Sequence, residues 1–431
     1  MAYGLFGIFF FLLIFRVPIG VALGLSVLSS FWIFGPEPFA FDQPLLISNT
    51  QQLFTALDKF PLMAIPFFVL AANIMTAGGL SRRLTDAANA VVGGMFGGLG
   101  ITTVVSCMFF AAISGSSPAT VVAIGSIMIP SMIHNGYGKR YATGLVASAG
   151  SLGILIPPSI PLIVYGVATE ESVGQLFMAG FLPGILIGSI LLVVVYIVAR
   201  RAGFRSDLTM TWSEKATTIG RATWSLILPV IVLGGIYGGF FTPTEAAAVA
   251  VVYAFLVAVF VYRDLSLRDL PQVLVNSASM SAMIMFIIAN AMMFAFLLTT
   301  ERIPVHIADW IITQDLAPWL FLIAVNILLL VVGMFMEPSA AILILAPLLL
   351  PAALDLGVDP IHLGIIMVMN LEVGMITPPM GLNLFVAAGI SRLPMGEVIR
   401  GVLPFSAVLL ASLMLVTYVP QISLFLVDLL K

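Results

Sequence analysis

Charged residues are scarce in this chain of 431 residues, and their scarcity excludes most soluble folds. Asp, Glu, Lys and Arg make up 9% of the residues, whereas the apolar set AVILMFWYC makes up 61% and the mean hydropathy is +1.16. A soluble globular protein is roughly 45–50% apolar and about 25% charged. The chain has too little polar surface to cover a water-soluble fold, so we predict an integral membrane protein.

Further absences exclude whole classes of chemistry. The single cysteine, Cys107, rules out an intramolecular disulfide. The three histidines, His134, His306 and His362, lie near predicted loops and outside any H-E-x-x-H pattern, and no glycine-rich phosphate loop follows a strand. The net charge of -3 argues against a nucleic-acid partner. We therefore expect no enzyme, no catalytic residues and no cofactor, but either a transporter or a membrane scaffold or channel subunit.

Long apolar blocks divide the chain into helical spans. A helix needs about 20 apolar residues to cross the hydrocarbon layer, and only helices or closed barrels satisfy their backbone groups there. Blocks of this length are not the ten-residue alternations of a barrel. We predict an all-α polytopic protein with about ten spanning helices, at about 4–15, 18–34, 62–80, 142–168, 177–199, 224–241, 244–262, 275–300, 362–391 and 402–427.

Two further apolar regions, 96–133 and 317–354, are too long for one helix and contain no polar loop that could separate two crossings. Small or turn-forming residues interrupt each of them midway. We predict two re-entrant hairpins, whose tips lie at membrane depth. Irregular backbone is tolerated at that depth only where protein or a watery cavity covers it.

Basic residues orient the spans. The longest connecting segment, 200–223, carries Arg200, Arg201, Arg205, Lys215 and Arg221, which places it in the cytoplasm under the positive-inside rule. Counting spans from there puts further basic loops on the same side and net acidic loops on the other. Both ends of the chain are then expected outside.

An internal repeat relates the two halves. Pro118, in SGSSPAT, has a counterpart 220 residues later in Pro338, in FMEPSAA. The pair Pro157 and Pro158, in GILIPPS, recurs 221 residues later in GMITPPM. Each half then has five crossings, an odd number, so the second half is inserted upside down. Inverted repeats with broken helices are typical of secondary transporters, whose site lies at the repeat interface.

The hairpin tips and helix breaks offer groups for both ions and anions. The hydroxyls and unpaired carbonyls around Ser114 suit a small cation, and the half-helix that follows points its N-terminal amides at any bound anion. Close packing through small residues and plain proline kinks are the structural alternatives. Glu337, an acid within an apolar run, could coordinate a cation, carry a proton or cap the next half-helix. Asn370 and Glu372 are similar candidates.

We expect the substrate beside these tips and breaks. The residues assigned to it all lie at the start of a half-helix or at a proline pair: Ser116, Ser117, Pro158, Ser159, Glu337, Pro338, Pro379 and Asn383.

Taken together, five segments resemble one family over nearly the whole chain. They are AISGSSPATVVAIGSIMIP, GILIPPSIPLIVYG, GIYGGFFTPTEAAAVAVVYA, FMEPSAAILILAPLL and NLEVGMITPPMGLNLFVA. They are similar to the large membrane subunit of TRAP (tripartite ATP-independent periplasmic) transporters, the DctM family. The tip SGSSPAT, with EPS and the closing VPQISL, looks most like members that import C4-dicarboxylates.

The resemblance implies a sodium-driven symporter of the elevator type in the bacterial inner membrane. Its partners would be a small four-helix membrane subunit and a periplasmic solute-binding protein that delivers an organic acid. Carried over residue by residue, one sodium set comprises Ser114, Gly153, Ile156 and Pro157, and the other comprises Gly333, Gly374, Thr377 and Met380. A sodium- or proton-coupled carboxylate carrier that needs no binding protein remains an alternative.

The elevator interpretation divides the chain into static and moving parts. We expect 1–61 to form a scaffold arm, 62–175 a moving unit with the first hairpin and broken helix, and 176–314 further scaffold helices. The second hairpin and broken helix, 315–395, would join the moving unit, and 396–431 would close the scaffold.

Overall fold

The structure, a computed structural model, describes residues 2–15, 17–34, 44–204, 210–313 and 316–430, and every regular element in these ranges is helical. Arg205, used above for orientation, lies outside them. The first half contains α1 (Ala2–Ile14), α2 (Ile19–Phe34), α3 (Pro44–Leu57), α4 (Ala64–Ala77), α5 (Leu80–Val92), α6 (Gly98–Ser114), α7 (Ser117–His134), α8 (Lys139–Ala149), α9 (Ile160–Thr169) and α10 (Val173–Ala202).

The second half repeats the same plan. It contains α11 (Trp212–Tyr237), α12 (Pro243–Leu256), α13 (Leu270–Thr300), α14 (Ile303–Thr313), α15 (Pro318–Gly333), α16 (Pro338–Asp355), α17 (Pro360–Met375), α18 (Leu382–Ser391), α19 (Met395–Tyr418) and α20 (Gln421–Leu429). Short 3-10 segments precede α4 and follow α8, and a π segment follows α12.

The number of crossings agrees with the predicted architecture. Eight helical segments of the described chain are long and apolar enough to cross a membrane, and two of them, α7 and α16, are hairpin arms. The broken helices α8–α9 and α17–α18 add two crossings, and the shorter apolar helices α1 and α2 complete the ten. The chain is therefore a polytopic helical membrane protein.

Some predicted boundaries are wrong for identifiable reasons. The span predicted at 402–427 is two helices, because α19 ends at Tyr418 and Val419, with φ -122° and ψ 77°, leaves the helical region before Pro420. A residue that precedes proline avoids the helical region. The span predicted to reach residue 80 ends at Ala77, and Gly79 turns the chain with a φ of 68° into the amphipathic helix α5. Neither α3 nor α5 is apolar enough to have been predicted as a span.

Each hairpin packs on the broken helices of both halves. In the first hairpin, Gly115 turns the chain between α6 and α7 with a φ of 60°, which a glycine adopts without strain. The arm α7 packs on α18, and the matching arm α16 packs on α9. These two contacts are equivalent, because an inverted repeat packs the same element of each half on the same element of the other half.

Contacts at the two ends of the bundle agree with the predicted sidedness. Residues predicted to be cytoplasmic meet each other, since Arg83 pairs with Asp264 and Arg140 pairs with Glu397. At the opposite end, Lys59 lies 3.9 Å from the Glu170 carboxylate. Loops assigned to one side by charge therefore also lie together in the fold.

One group of helices packs mainly on itself, although its members α5 and α13 also pack on α6 and α16 of the hairpins. The helices α2, α3, α4, α5, α11, α12 and α13 pack mainly on one another. By contrast, α19 packs along α8 so closely that a Cβ on Gly144 would lie 2.1 Å from the carbonyl oxygen of Gly401. In the same way, α10 packs on the first helix break, where a Cβ on Gly184 would lie 2.5 Å from the Ile156 side chain.

Candidate substrate and cation sites

The first hairpin tip gathers oxygen atoms in a buried position. The Ser114 hydroxyl lies 2.9 Å from the Thr120 hydroxyl and 3.4 Å from the Ser116 carbonyl, and the Thr120 hydroxyl donates to that same carbonyl at 2.9 Å. All three residues are buried. Because the chain leaves α6 at Ser114 and enters α7 at Ser117, these oxygens lie where helical hydrogen bonding is interrupted.

The first helix break closes directly on this tip. A Cβ on Gly153 would lie 2.7 Å from the Ser116 carbonyl oxygen and 2.5 Å from the Thr120 hydroxyl, so only glycine fits there. The Ile160 amide donates to the Gly115 carbonyl at 3.1 Å, which ties the start of α9 to the tip. The structure thus brings Ser114 and Gly153 together. Ile156 and Pro157 follow in the same break, buried, with Ile156 packed on α10.

The second tip and break meet through two glycines. A Cβ on Gly374 would lie 2.6 Å from the Gly333 Cα, so the backbones of α15 and α17 touch at this point. The Gly381 amide donates to the Met334 carbonyl at 3.3 Å and closes the tip on the start of α18. Gly333 and Gly374 were predicted to belong to one site, and they are in contact.

Thr377 stands at the end of α17 with its hydroxyl bonded to the Val373 carbonyl at 2.6 Å. It is half-buried, next to Pro378, and one turn from Gly374. Met380, the fourth member of the predicted set, points a side chain that is 51% exposed away from the core. Any contribution of Met380 to an ion site would therefore come from its backbone.

Glu337 caps a helix. One carboxylate oxygen accepts from the Ala340 amide at 3.2 Å, and the other accepts from the Ser339 hydroxyl at 2.8 Å. Of the three roles open from sequence, the described contacts are those of an N-cap at the start of α16.

A buried cluster joins the first hairpin to the second broken helix. The Ser117 hydroxyl donates to Glu372 Oε1 at 2.8 Å, and Asn383 Nδ2 lies 2.6 Å from the Ser117 hydroxyl and 3.1 Å from Glu372 Oε1. These three residues are at most 5% exposed. Ser117 and Asn383, both predicted substrate residues, therefore contact each other, although 266 residues separate them in sequence.

The other predicted substrate residues surround the tips without joining this cluster. Ser159 caps α9 by accepting from the Leu162 amide at 3.3 Å. Ser116, Pro158 and Pro338 are buried beside the tips, whereas Pro379 is exposed. The two proline pairs thus differ in surroundings, the first being buried and the second partly exposed.

Four helices begin near the tips and breaks: α7, α9, α16 and α18. The N-terminus of a helix carries unpaired amides and a partial positive charge of roughly half an elementary charge. The starts of α7 and α18 adjoin, since Ser117 and Asn383 are hydrogen-bonded, and α16 packs along α9. The free backbone amides at a helix start can bind an anion, independently of what the side chains beside them bind.

Three contributors were missed as site residues by sequence reasoning. Thr120 lies within the quoted tip motif, and its spacing of four from Ser116 predicts a hydroxyl near that carbonyl. The Met334 carbonyl and the Gly381 amide carry no side-chain signal at all. Glu372, an isolated acid in an apolar helix, was a candidate, but its pairing with Ser117 could not be predicted.

Two halves of inverted plan, each with a re-entrant hairpin closed on a broken helix, form the architecture of a secondary transporter. The fold resembles a solved transporter, YdaH of Alcanivorax borkumensis, with a TM-score of 0.65, coverage of 94% of this chain and 98% of that chain, and 15% identity. Residues 6–422 match the family described as tripartite ATP-independent periplasmic transporter, DctM component. The chain belongs to the DctM family.

Relatives within the family are similar over nearly their whole length. The chain is 53% identical over 94% of its length to the C4-dicarboxylate TRAP transporter large permease protein DctM of Pseudomonas aeruginosa, and covers 93% of that protein. It is 47% identical over 99% of its length to the protein of the same name from Rhodobacter capsulatus, and covers 98% of it. The chain is therefore a transporter subunit and not an enzyme.

Proposed function

We propose that this chain is the large permease subunit of a sodium-driven TRAP transporter that imports a C4-dicarboxylate. The observation that carries the proposal is the pair of hairpin tips closed on facing helix breaks, Ser114 with Gly153 and Gly333 with Gly374. Membership of the DctM family and the names of its similar relatives support the class of substrate.

The proposed partners of the chain are those expected for a member of the DctM family. A TRAP transporter is tripartite, so a small four-helix membrane subunit and a periplasmic solute-binding protein are proposed to complete this one. The bacterial inner membrane is the compartment in which these three components would meet. The exposed apolar faces of the scaffold helices, with Trp32, Trp224 and Phe286 among their side chains, leave room for lipid and for a membrane partner.

The experiment reconstitutes the chain with both partners in proteoliposomes and measures uptake of labelled succinate. We expect uptake that depends on the binding protein and that competes with malate and fumarate. Equal uptake without the binding protein would favour a carboxylate carrier that works alone. Saturable uptake of another organic acid but not of succinate would contradict the assignment of a C4-dicarboxylate substrate. It would not affect the assignment of the chain to the DctM family.

Sodium coupling is proposed from the chemistry of the two oxygen-rich tips. Hydroxyls and backbone carbonyls are neutral oxygen ligands, which suit a monovalent ion better than a divalent one that prefers carboxylates. One sodium ion moving inward gains about 2.3 kcal/mol per 100 mV of membrane potential. A dianion loses twice that amount, so two sodium ions neutralise the substrate and a third makes the step electrogenic.

Two substitutions test the sodium sets separately. Ser114→Ala removes the hydroxyl that meets Thr120, and Thr377→Ala removes the hydroxyl at the second break. Alanine fits either position, so each variant should fold and should shift the sodium dependence of uptake to higher concentration. The double variant should be worse than either single variant. Unchanged sodium dependence in both single variants would contradict the assignment.

An elevator motion remains a proposal, and the packing refines the division expected from sequence. We propose a moving body formed by both hairpins and both broken helices, as expected, but with α10 and α19 attached to it. The support is the close contact of α19 with α8 and of α10 with the first break. The helix α4, which packs on α12 and α13, is proposed to stay with the scaffold.

A further inference from the structure

The hydrogen-bonding pattern of the buried cluster decides what it can bind. The Ser117 hydroxyl has one proton, which it donates to Glu372 Oε1. Asn383 Nδ2 has two protons, and it lies within hydrogen-bonding distance of two acceptors, the Ser117 hydroxyl and Glu372 Oε1. Every side-chain donor in the cluster is therefore used within the cluster.

Two acceptors remain without a partner. Glu372 Oε2 and Asn383 Oδ1 are both buried and have no hydrogen-bond partner among the described residues. A buried polar atom left unpaired costs about 1–3 kcal/mol, and more if it is charged. A substrate carboxylate offers only further acceptors and negative charge. The cluster therefore suits a positively charged ligand, although Ser117 and Asn383 were expected to face the organic anion.

Space for such a ligand lies beside Glu372. A cavity of about 20 Å³ is lined by Glu372, Ser151, Leu152 and Val373, together with side chains of α10 and α19. A cavity needs roughly 10–15 Å³ to hold one water molecule. This one therefore has room for a single small ion or water and none for a hydrated ion or an organic molecule.

The cavity lies between equivalent positions of the two halves. Ser151 and Glu372 are 221 residues apart, the same separation that relates the two proline pairs, and so are Leu152 and Val373. The cavity is thus where the two broken helices face each other. It is separate from the tip contacts at Gly153 and at Gly374, each of which belongs to one half.

We propose that Glu372 forms a third monovalent-cation site, which holds a sodium ion between the two broken helices. The side chain of Glu372 supplies the charge. The Asn383 carbonyl oxygen, which has no hydrogen-bond partner, and the Ser151 hydroxyl, which lines the cavity, are proposed as neutral oxygen ligands. Mg²⁺ bound through one carboxylate keeps several of its waters, and Ca²⁺ takes six to eight oxygen ligands, so a cavity with room for one small ion and no hydration shell favours a monovalent ion. The inference extends the proposed sodium coupling and rests on it.

No other titratable side chain bonds to Glu372 or lines the cavity among the described residues. Glu337, the acid at the second hairpin tip, uses both oxygens at the start of α16, one for the Ala340 amide and one for the Ser339 hydroxyl. An ionised Glu372 would therefore have no basic side chain within the cluster to balance its charge. A charge left unpaired in a membrane protein's interior is costly, and a bound cation removes that cost.

The test is the number of sodium ions coupled to each substrate molecule, measured from reversal potentials in proteoliposomes that hold the complete transporter. Glu372→Gln keeps the shape and the Oε1 acceptor but removes the charge. We expect the ratio to fall by one sodium ion. Asp355→Asn, which removes an exposed acid at the end of α16, is the matched control and should leave the ratio unchanged.

Sodium-dependent thermal stabilisation of the purified complex supplies a second measurement if the Glu372→Gln protein does not transport. Sodium should raise the Tm of the wild type more than that of Glu372→Gln, because a lost site removes part of the binding free energy. An unchanged ratio, or an unchanged sodium-dependent rise in Tm, overturns the third site. Wild-type uptake that does not depend on sodium would instead contradict the proposed coupling of transport to sodium.

Discussion

Because Gly333 and Gly374 are in contact, the Gly374→Ala substitution directly tests the second proposed sodium site, at the second hairpin tip. A Cβ at position 374 would lie 2.5 Å from the Gly333 carbonyl carbon and 2.6 Å from its Cα. Carbon atoms in contact are normally about 3.5–4.0 Å apart. Backbone cannot rotate away as a flexible side chain can, so α15 and α17 would have to separate by about 1 Å.

The energetic cost follows from this overlap. Inserting a methyl group into a well-packed site costs about 1–3 kcal/mol. A cost of about 1.4 kcal/mol corresponds to a tenfold change in an equilibrium constant. If the closed tip is what binds sodium, Gly374→Ala should raise the half-saturating sodium concentration about tenfold, because the ion must then close a tip that the methyl group holds open.

The assay is the sodium dependence of substrate uptake by the complete transporter at matched protein levels. Gly389→Ala on α18 is the control, since its Cβ would meet no atom within 4 Å. It should leave the sodium dependence at the wild-type value. Wild-type sodium dependence in Gly374→Ala would show that the glycine contact does not shape the ion site, and the argument from close approach would fail.

Cross-linking and labelling test the moving body and the topology. Cysteines replacing the paired residues Arg140 and Glu397, joined by a short thiol reagent, should leave uptake intact, because both positions lie in the proposed moving body. Cysteines replacing Lys59 and Glu170 should stop uptake when joined, because they link the scaffold to that body, and transport that survives this link would contradict the elevator motion. In a Cys107→Ser background, single cysteines at positions 59 and 140 should react with an impermeant reagent from opposite sides, and labelling from one side would refute the orientation.

Local sequence signals were enough to predict the hairpins and breaks. The tip at Gly115 and the breaks at Pro157 and Pro378 use residues whose backbone preferences interrupt a helix wherever they occur. The recurrence of these signals at a spacing of about 220 residues predicted the inverted repeat, and the resemblance to the DctM family predicted which tip faces which break. In the structure, Gly153 lies against the first tip and Gly374 lies against the second.

Long-range side-chain pairing could not be predicted in the same way. Ser117 and Glu372 lie 255 residues apart, and they meet because α7 packs on the broken helix of the opposite half. The hydrophobic periodicity of a helix does not indicate which helix of the opposite half it packs on. The amphipathic helices α3 and α5 were missed because a search for long apolar runs passes over helices with one polar face.

Coupling to sodium is the central claim, and one uptake measurement tests it most directly. The complete transporter, with its binding protein and an inside-negative potential, takes up labelled succinate under an inward sodium gradient or under an equal potassium gradient. We predict concentrative uptake with sodium and only background uptake with potassium. Equal uptake in the two conditions would contradict the assignment of Ser114, Thr377 and Glu372 to sodium.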